Sequence, residues 1–232
     1  MNELGGATWP EIEAAGSAAL LAIPVGSTEQ HGPHLPLSTD TEIAVALAEH
    51  AADQVAELVV APPLPYGSSG EHADFPGTLS IGQGATELAL LELCRSASQS
   101  FDRTILVSTH GGNAAPVRAA VERLRFEGRD VIAWSPSWKG DAHAGRVETS
   151  LMLAIAPRRV RLELARPGNV DPIEQLFEDL AESGVRQLAE SGVLGDPTGA
   201  DAEHGRELLS EAVSELVRTI EAWQRRASDA PR

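Results

Sequence analysis

The chain has 232 residues, enough to bury one sizeable core, with 42% apolar but only 4% aromatic residues and a formal net charge of -16. An acidic chain whose only lysine is Lys139 lacks the clustered cations that grip phosphates, so no nucleic-acid partner is expected. The single cysteine, Cys94, allows no intrachain disulfide; the start MNELGGATWPEIEAAG is not a basic secretory signal, and the run SAALLAIPV is too short to span a bilayer. A cytoplasmic protein without a membrane partner is the expectation.

Short apolar runs alternate along the chain with longer helical patterns. Residues 18–25 read as a strand and 41–56 as an amphipathic helix; 58–61 read as a strand and 85–101 as a helix. The run TILVST, within a strand at 104–109, is almost continuously apolar, as in a strand covered on both faces. A helix at 113–127, a strand at 130–135 and helices at 148–155, 172–191 and 202–226 complete the pattern, and the ending ASDAPR reads as a frayed tail. This alternation predicts an α/β protein, a three-layer α/β/α sandwich with a mainly parallel sheet, formed as a single domain over residues 1–232.

The ionisable chemistry concentrates in four Gly- and Pro-rich connections, 26–39, 62–84, 110–113 and 136–147. In open α/β sheets the loops leaving the carboxyl ends of strands line the ligand crevice. In GSTEQHGPHLPLSTD, Glu29 and His31 stand two apart, so on extended chain they point the same way and can share a borderline divalent cation. Asp40 has two readings: a further ligand, or part of a helix start in which Thr39 and Glu42 form a capping box. His34 reads as a packing or hydrogen-bonding residue.

His110 ends a buried strand and precedes two glycines, which suits either a ligand facing open backbone or a histidine holding its loop. Asn113 reads as the N-cap of the following helix. In DAHAGRVETS, His143 and Glu148 flank a turn, and Glu148 also suits the first turn of a helix for its charge alone. Glu71 and His72 fall in a loop long enough to wall a site. The set combines carboxylates and imidazoles without a thiolate, as in two-metal hydrolases, and no G-x-S-x-G, Walker or G-x-G-x-x-G motif competes with it.

The segments PVGSTEQHGPHLPLSTD, YGSSGEHADFPGTLSIG, THGGN, DAHAGRVETS and GVLGDPTGADAEHG, in this order, resemble the creatininase (creatinine amidohydrolase) family over roughly residues 17–205. The resemblance implies a helix-covered, mainly parallel sheet and a homo-oligomer, a hexamer or larger. It implies two divalent metal ions, Zn2+ or Fe2+ and possibly Mn2+, with Glu29 and His110 on one, His31 on the other and Asp40 bridging. Creatininase carries a glutamate two positions after the strand-end histidine; here that position is Gly112. The departure points to the branch with peptidase and deformylase-type members, the peptidase releasing a cross-linked C-terminal Val-Tyr unit from a modified precursor peptide. Glu148 is then expected to complete the second metal's shell, or to act with His143 as acid and base, and Glu71, His72 and Trp138 to shape the substrate pocket. Two other readings stand beside it: a small-molecule amidohydrolase acting on a cyclic amide or formamide, and a non-catalytic metal-binding protein.

Overall fold

The computed structural model describes residues 2–16 and 19–228. Four strands, β1 (Leu20–Val25), β2 (Leu58–Val60), β3 (Arg103–Ser108) and β4 (Asp130–Trp134), form one sheet in the order β2-β1-β3-β4, every pairing parallel. Among the described residues eight α-helices accompany them: α1 (Trp9–Ala15), α2 (Thr39–Ala52), α3 (Gly82–Ala97), α4 (Ala114–Phe126), α5 (Arg146–Ile155), α6 (Ile173–Ser183), α7 (Val185–Leu188) and α8 (Ala202–Ser228).

Period-two alternation along the strands separates two cores. Leu20, Ala22, Leu58, Val60, Ile105, Val107 and Trp134 pack with Ile43 and Leu47 of α2, Leu151 and Met152 of α5, and Leu216 and Ile220 of α8. Leu21, Ile23, Val25, Val59, Leu106 and Val131 pack on the opposite face with Leu90 and Cys94 of α3 and Val117, Ala120 and Leu124 of α4. The three-layer expectation is met. Each fully buried leucine in these layers contributes roughly 1.5–3 kcal/mol. The far end of α8 is tied to the sheet edge by the Trp223 indole, which donates to Asp130 Oδ1 at 2.8 Å.

Three details differ from the sequence expectation. The helix expected over 172–191 is broken into α6 and α7 by Gly184, whose φ of +74° terminates α6 with its N–H on Leu180 O. Helix α1 is additional; Pro10 in its first turn and the Glu11 carboxylate accepting from the Thr8 N–H account for it. Residue 18 of the first expected strand and 229–232 of the expected tail lie outside the described residues, while α8 runs to Ser228. Among the described residues, no helix is long and apolar enough to cross a membrane.

Helices α5 and α8 touch backbone to backbone. A Cβ on Gly205 would lie 1.8 Å from Ser150 O. Gly205→Ala therefore sets a helix-propensity gain of about 1 kcal/mol against an overpacking cost of about 1–3 kcal/mol. With backbone as the obstacle the steric cost dominates, so urea or thermal unfolding should show a less stable protein; a stabilised variant would mean that α8 slides freely on α5.

Candidate metal centre

The strand order creates the place for a site. Beyond β1 the chain enters α2 on one face, and beyond β3 it enters α4 on the other, so the two connections diverge at the carboxyl ends of adjacent strands and leave a crevice. Residues from four strand-end connections converge there. Glu29 and His31 come from the loop after β1, Asp40 from the first turn of α2, Glu71 and His72 from a 3-10 turn after β2, His110 from the end of β3, and His143 and Glu148 from the β4–α5 connection. Glu29, His31, His34, Asp40, His72, His110 and His143 are all buried.

Local contacts lock these segments together. Gly26 is needed where β1 passes α2, since a Cβ there would lie 2.5 Å from the Thr41 backbone. Thr41 donates its hydroxyl to Ser27 O at 2.9 Å, and Thr109 donates to Asp40 O at 2.8 Å. Asn113 stands at the N-cap position of α4, but its side chain makes no cap. Instead it donates to Gly26 O and accepts from Ser68 N–H, both at 2.9 Å, joining the loops after β1 and β2. The Thr39–Glu42 capping box is likewise replaced: α2 begins at Thr39, and Glu42 accepts from the Ser38 hydroxyl and pairs with Arg159. Asp40 turns inward, where its Oδ2 accepts from Ser27 Oγ at 2.5 Å.

The Asp40 carboxylate lies between two imidazoles. Its Oδ1 is 3.4 Å from His31 Nε2 and its Oδ2 is 3.5 Å from His110 Nδ1. His31 Nδ1 is 3.1 Å from Glu29 O, a carbonyl that can only accept, so in the neutral ring Nε2 is bare. His110 Nε2 faces Ser68 O at 2.8 Å and Glu29 Oε2 at 3.1 Å, both acceptors, which leaves its Nδ1 bare toward Asp40. Glu148 Oε2 lies 3.8 Å from His31 Nε2 and accepts from the Ala144 N–H at 2.6 Å. Ala144 holds φ at +53°, a left-handed conformation rare for alanine, which aims that N–H.

Among the described residues, three groups of side chains offer ligand atoms close enough to share an ion: Glu29–Asp40–His110, His31–Asp40–Glu148 and Glu29–His31–His143. Asp40 belongs to two of them. Both carboxylate oxygens of Glu29 and the Nε2 of His31 are buried without a hydrogen-bond partner. Buried polar atoms rarely stay orphaned, and a carboxylate and imidazole set without thiolate fits a divalent cation.

The electrostatics agree with this. Burial presses His31 and His110 toward neutrality, but Asp40 with Glu148 and Glu29 around His31, and Glu29 with Asp40 and Glu71 around His110, outweigh it, raising both pKa values to about 10. The pocket thus draws positive charge strongly. Burial alone would raise the Glu29 pKa, yet the nearby imidazoles of His110, His72 and His31 hold it well below the usual range. Burial, reinforced by Asp40, lifts Glu148 to about 7, against the pull of His31. Burial and neighbouring imidazoles push His72 down to about 4 and His143 well below the ordinary histidine value. Burial likewise raises the Cys94 thiol to about 12, far from nucleophilic use.

Of the expected site residues, Trp138 stands apart. It packs against the α2–α5–α8 core and borders a separate cleft of about 480 Å3 with Ser210, Ser214 and Arg218, a cleft whose lining includes none of the clustered imidazoles and carboxylates. His72 is a buried neighbour of Glu29, Nε2 to Oε1 3.3 Å, whereas Glu71 stays partly open and places Oε1 3.6 Å from His110 Nε2. His34 pairs its Nε2 with Thr149 Oγ1 at 2.9 Å. Sequence reasoning passed over Gln30, Ser27 and Ser68; of these, only Gln30 carried a signal, standing between two candidate ligands.

A fold of parallel strands with a carboxylate–imidazole cluster at its switch point is matched by a known family. The family model described as creatinine amidohydrolase matches residues 6–220, and the chain belongs to the creatininase family of amidohydrolases. It is 47% identical over 212 residues to the mycofactocin precursor peptide peptidase of Mycolicibacterium smegmatis, covering 88% of this chain and 85% of that protein. The creatinine amidohydrolase of Pseudomonas putida is 28% identical, with 94% and 95% covered. Among solved structures, one titled creatininase Mn superposes with a TM-score of 0.80 at 27% identity, covering 95% of this chain and 97% of that one, and a mutant creatininase of Zn-Zn type gives 0.80 at 26% with the same coverage.

Asn113→Ala removes the clamp and leaves Gly26 O and Ser68 N–H without their side-chain partner. A buried unsatisfied group costs about 1–3 kcal/mol, so the variant should unfold at clearly lower urea concentration, with hydrogen exchange at Ser68 accelerated. Unchanged stability and exchange would mean that Asn113 does not join the loops.

Proposed function

We propose that this amidohydrolase is a peptidase with a dinuclear metal centre, acting on a modified precursor peptide of the mycofactocin type and releasing its cross-linked C-terminal Val-Tyr unit. The observation that carries the reading is the buried Asp40 carboxylate, each oxygen of which faces a different imidazole. The identity to the named peptidase, well above that to creatinine amidohydrolase, favours the peptide substrate.

In this reading Glu29, Asp40 and His110 hold one divalent cation and His31, Asp40 and Glu148 the other. The all-nitrogen-and-oxygen donor set suits Zn2+, Fe2+ or Mn2+. When bound, such a pair makes hydroxide available near neutral pH and stabilises negative charge developing on the amide oxygen. His143 has its Nε2 on the Gln30 carbonyl at 2.8 Å, so its bare Nδ1 faces Glu29 Oε1 across 3.9 Å and can take a proton there for delivery to the leaving amine. Glu148 is the other proton-handling group, its carboxylate steadied by the Ala144 N–H. Glu71, at the open edge, meets the substrate. The protein assembles as a homo-oligomer in the cytoplasm.

The test is incubation of metal-loaded protein with the modified precursor peptide, with mass spectrometry of the released unit and creatinine as the parallel substrate. Release of the unit that stops on chelation is the expected result; turnover of creatinine alone would replace the peptidase reading with a small-molecule one. Asp40→Ala should lose both ions by elemental analysis and reduce turnover by at least about 100-fold. Full metal content with full turnover in that variant would end the bridging role.

A further inference from the structure

Gln30 lies between the two candidate ligands of the β1 loop, yet its side chain points away from them into a ring of backbone and imidazole groups. The amide orientation is fixed on both sides by main chain. Gly32 N–H donates to Gln30 Oε1 at 2.9 Å, and Gln30 Nε2 donates to Gly192 O at 3.0 Å; a flipped amide would set donor against donor and acceptor against acceptor. Gly192 is there for closeness, because a Cβ at that position, where φ is +78°, would lie 1.9 Å from Gln30 Oε1.

The second Nε2 proton has one place to go. His143 Nε2 is 3.1 Å away, but that nitrogen already donates to Gln30 O at 2.8 Å and cannot accept. His72 Nδ1, at 2.9 Å, can. A neutral His72 that accepts at Nδ1 carries its proton on Nε2, and Nε2 is 3.3 Å from Glu29 Oε1. One residue thus sets two rings: the side chain of Gln30 selects the tautomer of His72, and its main-chain carbonyl selects that of His143.

We infer that Gln30 is a positioning residue, holding His72 with its Nε2 proton on the side of Glu29 and His143 with its Nδ1 bare toward the same carboxylate. The tautomers follow from the hydrogen bonds alone; their bearing on turnover rests on the proposed hydrolytic role of the cluster. Partners of this outer kind orient the groups that touch metal and substrate, and their loss costs about 10–100-fold in activity or metal affinity.

Long-range 1H–15N correlation spectra of the intact protein read both rings directly. Wild-type protein should show His72 and His143 each protonated at Nε2 and unprotonated at Nδ1. In Gln30→Glu the new carboxylate can only accept, so His72 should move its proton to Nδ1, while His143, held by a main-chain carbonyl, keeps its state as an internal control. The same variant should lower kcat by about 10–100-fold with KM little changed. Gln30→Met removes the donor without supplying an acceptor and should give His72 as a mixture of tautomers; it serves if the glutamate variant does not fold. A wild-type His72 protonated at Nδ1, or variants that leave both its tautomer and kcat unchanged, would overturn the inference. Expected tautomers in a wild-type protein that cleaves no amide would instead refute the functional proposal and leave this one standing.

Discussion

The site is organised around one buried carboxylate. Asp40 is 2% exposed, and an ion of that kind costs several kcal/mol to take out of water unless its lone pairs are met. Here the Ser27 hydroxyl donates to Oδ2, and His31 Nε2 and His110 Nδ1 each stand within 3.5 Å of a carboxylate oxygen, near enough to balance its charge when protonated or to share a cation with it. The three partners come from both sides of the switch point, two from the loop after β1 and one from the end of β3. The carboxylate therefore holds the crevice together as well as filling it. Its own position is not left to the side chain, because the first turn of α2 is bonded to Ser27 O through Thr41 and to Thr109 through Asp40 O.

Around that carboxylate the four clustered imidazoles divide into two kinds. His31 and His110 lie next to Asp40 and, with Glu29 and either Glu148 or Glu71, in a field that favours positive charge. His72 and His143 face Glu29, but burial and repulsion from the other rings outweigh its pull, so they remain neutral. Titratable groups pushed apart in this way mark a division of labour. The charge-seeking rings suit a cation, and the neutral rings suit hydrogen bonding and proton transfer. That division arises from which element supplies each ring: the two rings set against Asp40 come from the β1 loop and the β3 end.

Much of this was legible in the chain itself. The α/β alternation and the strand-end location of the chemistry follow from hydrophobic period and Gly/Pro placement, which act locally. Asp40 was ambiguous because the same residue at the same place serves as cap or ligand; only the inward turn of the helix start, set by Ser38 taking up Glu42, separates the two. Asn113 misled for the converse reason: it occupies the cap position while its amide spans two loops 87 and 45 residues away in sequence. Trp138 lies in the connection that carries His143, yet its ring turns toward α8 and the adjacent core. Such outcomes depend on long-range contacts, which no residue window contains.

Gly112 and Glu71 show how a single missing side chain reshapes the rim of the cluster. A Cβ on Gly112 would lie 2.2 Å from Ser68 O, 2.5 Å from His110 Nε2 and 2.6 Å from Glu71 Oε1. No side chain fits there unless the loop after β2 withdraws. Withdrawal would take Ser68 O from His110, freeing the ring to change tautomer, and would carry Glu71 out with it. The glycine is therefore a condition of Glu71's approach, and the rim carboxylate arrives on the loop after β2 rather than from the end of β3. On that loop it is tied to a different neighbour: Gly184, at the break between α6 and α7, would place a Cβ 3.0 Å from Glu71 O. The segment that ends α6 thus packs against the same turn that presents Glu71 and His72. The α6–α7 break is thereby joined to the mouth of the site, whereas Asp40 is anchored separately, in α2 and through Thr109 at the end of β3.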